Sequence, residues 1–158
     1  MKKIMYTRAE DGGVSIVVPA PKEDIERVLG PISDEQYTRH VWGRSVPSDA
    51  INPRYVESIP TNREFRNAWC DVTLEPNVDI CLTKAKEIQL AKLRECRNKK
   101  LADTDVEFMV KLEKGEDLTI IKQKKQALRD ATEPLKNLVV TGYNDPVVLA
   151  RIKTLGTL

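Results

Sequence analysis

The chain has 158 residues, 32% of them charged and only 5% aromatic, with three cysteines and a formal net charge of +2. That length accommodates one domain with an appendage or two small units, and so few aromatic rings leave room for only a small hydrophobic core. The weak net charge does not by itself argue for nucleic acid, and no window approaches the roughly eighteen apolar residues of a membrane span.

Charge is unevenly placed. Residues 1–83 hold ten basic and thirteen acidic groups, residues 84–129 hold thirteen and eight, and residues 130–158 hold three of each. A basic segment on a mildly acidic base can attract nucleic acid or an acidic protein face, and it is equally an ordinary solvated helix surface.

In chain order, Ile4 to Thr7 and Val14 to Val18 are β-prone runs joined through Asp11-Gly12-Gly13. Those glycines offer the positive-φ positions of a tight loop, so an opening β-hairpin is expected. Pro21 can begin a helix whose Ile25, Val28 and Leu29 share a face before Gly30. Ser33 and Gln36 form a capping box for a helix carrying Tyr37, Val41 and Trp42 and finishing near Gly43. Tyr55 to Pro60 reads as extended chain with one short strand. Thr61 and Glu64 read as a second capping box, opening a short helix through Phe65, Ala68 and Trp69. Val72 to Leu74 reads as a further strand, with Pro76-Asn77 as its turn.

From Ile80 to Thr83 the pattern becomes helical, and Gly115 is the only glycine before Pro134. Ala85, Ile88, Leu93, Cys96 and Leu101 trace a narrow apolar stripe that Val106, Met109, Val110 and Leu112 continue. Thr104 and Glu107 form a third capping box, at which the helix is expected to pause or restart. Gly115 suits a helix C-cap, and Asp117 can cap a returning helix with Leu118, Ile121, Ala127 and Leu128, closed by Pro134. The tail reads as a β-prone run from Leu138 to Thr141, a turn at Gly142-Tyr143-Asn144, and a helix capped by Asp145 with Pro146 at its first position. Its Val148, Leu149, Ile152 and Leu155 share a face.

The expected fold is α+β: a small amino-terminal β-hairpin and helix domain over 1–80, a long helical hairpin or coiled-coil-like arm over 81–133, and a short carboxy-terminal turn and helix over 134–158. Helices this polar bury only a narrow stripe and gain stability chiefly by packing on a partner.

Residues able to do bond-making chemistry are sparse. His40 is the sole imidazole, and no serine or cysteine motif accompanies it, although a dyad with Cys70 is open to the composition. There is no Walker sequence, no H-E-x-x-H and no glycine-rich cradle at a helix start. Cys70, Cys81 and Cys96 are odd in number and lack a C-x-x-C. Charges interrupt the first residues before the apolar core of a signal peptide could form, so reduced thiols in a cytoplasm are expected. Metal-ligand spacing is missing. The expectation is a non-enzyme without catalytic residues, cofactor or metal.

Two groups are candidates for contact. Trp42, Phe65 and Trp69 are anchors for a partner's pocket or else the small core itself, the latter being the commoner fate of such rings. Ile88, Leu93 and Cys96 would be buried if copies met along the arm in a symmetric assembly. A basic patch of Lys92, Arg94, Arg97, Lys99 and Lys100 lacks the interleaved aromatics of single-strand binders, which makes nucleic acid an improbable partner.

Several stretches resemble a family of small proteins of tailed bacteriophages and prophages. They are Tyr6-Thr7-Arg8, Asp11 to Pro21, Asp34-Glu35-Gln36-Tyr37, Arg44 to Pro47, Pro60 to Trp69, Lys84 to Ile88, Arg94 to Arg97, and Lys124 to Asp130. The cysteines and the segment after Pro134 fall outside the pattern. This family is commonly encoded beside tail or tail-fibre genes. The resemblance implies a virion structural or accessory protein of the tail, neck or tail-fibre attachment region, made in the host cytoplasm. Its partners would be other tail, fibre or neck proteins and further copies of itself. A transient tail-fibre assembly chaperone is the alternative, and a basic-arm nucleic-acid binder a third. The family brings no catalytic residues.

Overall fold

A computed structural model describes residues 2–72 and 78–158, which divide into two compact units, Met1–Ile80 and Cys81–Leu158. The architecture is α+β, with strands at the amino-terminal end followed by helices.

In the first unit β1 (Lys3–Thr7) pairs antiparallel with β2 (Val14–Val17), Ile4 opposite Val17 and Thr7 opposite Val14. The loop closes on the Arg8 amide donating to the Gly13 carbonyl at 2.8 Å, and Gly12 takes the single positive φ of this turn, 63°. Gly13 serves differently from expectation. A Cβ there would collide with the Arg8 guanidinium, which is paired with Asp11. On the other side of β1 lies β3 (Ile51–Val56), giving the order β2-β1-β3. Between Met5 and Thr7 the register slips by one residue on β3, at Asn52 with φ 49° and Pro53. A proline without an N–H is tolerated there because β3 is an edge strand with a bulge. Ile4 and Met5 point to opposite faces of the central strand and both are fully buried.

The two helices of this unit differ in kind. In α1 (Lys22–Leu29) no residue is buried. The apolar face expected for Ile25, Val28 and Leu29 is largely in solvent, Val28 being 82% exposed. The connection to α2 (Asp34–Ser45) is polar instead: Lys22 pairs with Asp34 at 2.6 Å, and the Tyr37 hydroxyl donates to the Ala20 carbonyl. The capping box of α2 forms as read, Ser33 accepting from the Gln36 amide and Gln36 from the Ser33 amide. The helix continues two residues past Gly43.

The second expected capping box does not form. Asn62, not Thr61, accepts the Glu64 amide, and the helix expected over Phe65 to Trp69 shrinks to a 3₁₀ turn at Arg66–Ala68. Trp69 then opens β4 (Trp69–Asp71), which pairs with β5 (Val78–Ile80). Burial of Phe65, Ala68 and Trp69 in a short extended segment outweighs local helix propensity. The Arg54 guanidinium on β3 grips the Asp71 carboxylate on β4 with two nitrogens. Of the strand expected at Val72 to Leu74, Val72 is irregular; the rest of it and the Pro76-Asn77 turn lie outside the described residues.

The second unit is built on α3 (Leu82–Glu113), a single helix of 32 residues. It does not pause at Thr104. That side chain is buried, and its hydroxyl donates to the Lys100 carbonyl one turn back, so it serves the helix interior and caps nothing. The end near Gly115 forms as the sequence indicates: with Gly115 at φ 69°, its amide donates to the Leu112 carbonyl and the Glu116 amide to the Lys111 carbonyl. Those are the two bonds of a Schellman closure. Asp117 accepts from the Thr119 amide and hydroxyl as α4 (Thr119–Asp130) begins. Pro134 does not terminate α4; it lies in the first turn of a four-residue helix, α5 (Glu133–Lys136). The expected strand at Leu138 to Thr141 is absent. Only Tyr143 makes a bridge, to Cys81. The last helix, α6 (Pro146–Leu155), is capped as expected, Asp145 accepting from the Val147 and Val148 amides at 2.9 and 3.1 Å. Leu149 and Ile152 are its buried positions.

One face of α3 receives all three helices that follow it. Lys86 donates to the Lys136 and Leu138 carbonyls, Gln89 to the Gly156 carbonyl, and Arg97 to the Thr132 hydroxyl. Farther along, Lys125 of α4 pairs with Asp105 and stands 4.7 Å from the Phe108 ring centroid, while Lys124 pairs with Glu107 at 3.1 Å. The carboxy-terminal residues therefore belong to the same unit as the hairpin.

Candidate interaction surface

Of the six candidate contact residues, Trp42, Phe65 and Trp69 belong to the first unit and Ile88, Leu93 and Cys96 to the second. Phe65 and Trp69 are 5% and 3% exposed, so the ring-as-core alternative describes both, and neither is available to a partner. Trp42 is half-buried: its ring meets Tyr55 edge-on at 5.5 Å, and its indole N–H donates to the Tyr55 hydroxyl at 2.9 Å. This contact ties α2 to the edge strand and leaves one side of the indole on an open depression of about 490 Å³ with Asp34, Glu35, Thr38 and Arg39.

On α3 the stripe Ile88, Leu93 and Cys96 is split. Leu93 is 1% exposed, Ile88 half-buried and Cys96 exposed. Leu93 falls on the face that carries Lys86, Gln89, Arg97, Thr104 and Phe108, spaced by three, four and seven, and that face is taken by the chain's own α4, α5 and α6. Self-contact through Leu93 is thereby replaced by intramolecular packing. No disulfide joins the three cysteines.

The apolar residues left in solvent are others. Hydrophobicity alone groups Val106, Met109 and Val110 with the inward stripe, yet Val106 and Val110 lie about half a turn from Thr104 and Phe108 at 100° per residue. The fold turns them outward, Val106 being 66% exposed, with Met109 and Val110 also in solvent. Ile120, at the start of α4, is 77% exposed and belongs to the same distal end of the hairpin. A signal for this existed in the sequence. Leu93, Arg97, Leu101, Thr104, Phe108 and Lys111 keep an unbroken three-four spacing through polar residues, and Val106 and Val110 are out of phase with it.

Charge around this outer face is mostly compensated. Lys99 and Glu95, one turn apart, pair at 2.7 Å; the bond to Glu95 raises the lysine above its ordinary value, and the bond to Lys99 lowers the carboxylate. The expected basic patch is interrupted in the same way, since Lys99 faces Glu95 and Arg97 is half-buried against Thr132. Between α3 and α4 a cleft of about 390 Å³ is lined by Lys100, Asp103, Thr104, Glu107, Lys124 and Leu128, with Lys124 and Glu107 already joined.

His40 is half-buried on α2. Among the described residues no three His, Cys, Asp or Glu side chains gather as a metal site, and no helix is long and apolar enough to cross a membrane. No protein-family model matches the chain, and neither does any curated protein or solved structure.

Proposed function

We propose that this chain is a structural or accessory component of a bacteriophage virion, at the tail, neck or tail-fibre attachment region, and that it works through protein–protein contact. The observation that carries the contact part is the outer face of α3, with Val106, Met109 and Val110 in solvent. Large apolar side chains grouped on a surface mark places where another surface docks. A 32-residue helix braced along one face by its own chain presents the opposite face as a stiff edge. The phage assignment is supported by the stretches that resemble the prophage family, several of which fall on the braced hairpin.

Purified particles of the phage or induced prophage encoding the chain, analysed by mass spectrometry, are expected to contain it at a copy number matching tail symmetry. Absence from mature particles together with co-purification on immature fibre protein would transfer the reading to an assembly chaperone. Absence from both removes it.

A further inference from the structure

We propose that the outer face of α3 is a self-association surface on which a second copy of this chain lies antiparallel, the two helices crossing at Val106. This rests on the contact reading above and names its partner.

The outer face is defined by the side opposite the buried residues Leu93 and Thr104. At 100° per residue it contains Lys99, Ala102, Val106, Met109, Val110 and Glu113. Steps of three and four along that set give the seam on which two helices pack side by side. Centring an antiparallel pair on Val106 sets Val106 against its own counterpart and small Ala102 against larger Val110. Lys99 then falls opposite Glu113 at both ends of the contact. Glu113 has no ion-pair partner among the described residues. The Lys99–Glu95 pair has both side chains at least 70% exposed, so it holds Lys99 only weakly.

Charge selects the orientation. A parallel pair in register brings Lys99 against Lys99 and Glu113 against Glu113, which repel. The antiparallel pair exchanges both for attractions. In this register Asp105 comes opposite Glu107 and Asp103 opposite Met109; Lys125 and Lys124 of α4 already neutralise Asp105 and Glu107. The contact runs over residues 99–113, about 22 Å of helix, which is short for a stable dimer. A weak association is expected, one that strengthens where copies are held close together.

Sedimentation velocity of the full chain between about 5 and 500 µM, the range suited to a weak contact, tests this. The mass is expected to rise from monomer toward dimer. Val106→Glu, at an exposed position that leaves the fold intact, is expected to keep the chain monomeric throughout. Lys99→Glu or Glu113→Lys alone is expected to weaken the dimer about two- to tenfold, since each dimer holds two such exposed pairs, and the double exchange to restore it. In a Cys96→Ser background, Val106→Cys is expected to form a disulfide-linked dimer under mild oxidation, because only residues at the twofold axis meet their own copies. A monomer at every concentration overturns the proposal, as does a dimer indifferent to Val106→Glu or a double exchange without recovery. A monomeric chain that is nevertheless present in particles removes self-pairing and leaves the contact role standing; a chain that pairs through Val106 but is missing from particles does the reverse.

Discussion

Replacing Leu93 by alanine separates core from interface in the second unit. Leu93 is 1% exposed, so the substitution removes buried methyl groups and opens a cavity, a change that typically costs about 2–5 kcal/mol. The neighbours one turn away on either side, Gln89 and Arg97, are half-buried and held at their tips by the Gly156 carbonyl and the Thr132 hydroxyl. Their long stems can lean into the space left behind, which favours the lower half of that range, about 2–3 kcal/mol. For a unit of this size, Cys81–Leu158, that corresponds to a melting midpoint lowered by about 10–20 °C. Thermal unfolding followed by circular dichroism at 222 nm reads it directly, because α3 and α4 dominate the helical signal. The shift is expected to be the same at low and high protein concentration. A midpoint within a degree or so of the parent, or a loss that appears only where the chain associates, would refute the packing argument and return Leu93 to a partner's side.

Thr61→Ala is expected to leave the melting curve within about 0.5 kcal/mol of the parent, as for a surface site without special contacts, whereas Asp145→Ala loses two capping bonds and costs about 1 kcal/mol; equal effects would contradict the cap assignments. Asp117 is held below its ordinary value of 3.8 by the Thr119 hydroxyl and amide. A depressed carboxylate stabilises the fold above its unfolded value, and that contribution is lost as pH falls through the folded one. Acid titration of the helical signal is therefore expected to be shallower below about pH 4 in Asp117→Asn than in the parent; identical acid limbs would show that the hairpin turn does not sense Asp117.

Local chemistry made several elements legible in advance. Ser33 with Gln36, Gly115 after a polar helix, Asp145 before Pro146, and the loop at Gly12 each place a donor, an acceptor or a positive φ where only neighbours within a few residues matter. The failures are equally local in kind. Thr61 and Thr104 carry the same capping signature as Ser33, yet one stands before an extended segment and the other inside an unbroken helix. A capping box states that a helix could start; whether it does depends on what the following residues can bury.

The same division runs through the contact surface. Sequence alone determined that a long polar helix would turn back on itself and that its apolar residues were too few to cover it. Which of them would face inward was decided by tertiary packing. Once α4, α5 and α6 settle on the side of Leu93, Thr104 and Phe108, a helix of fixed 100° step has no freedom left, and Val106 and Val110 must point away from the core.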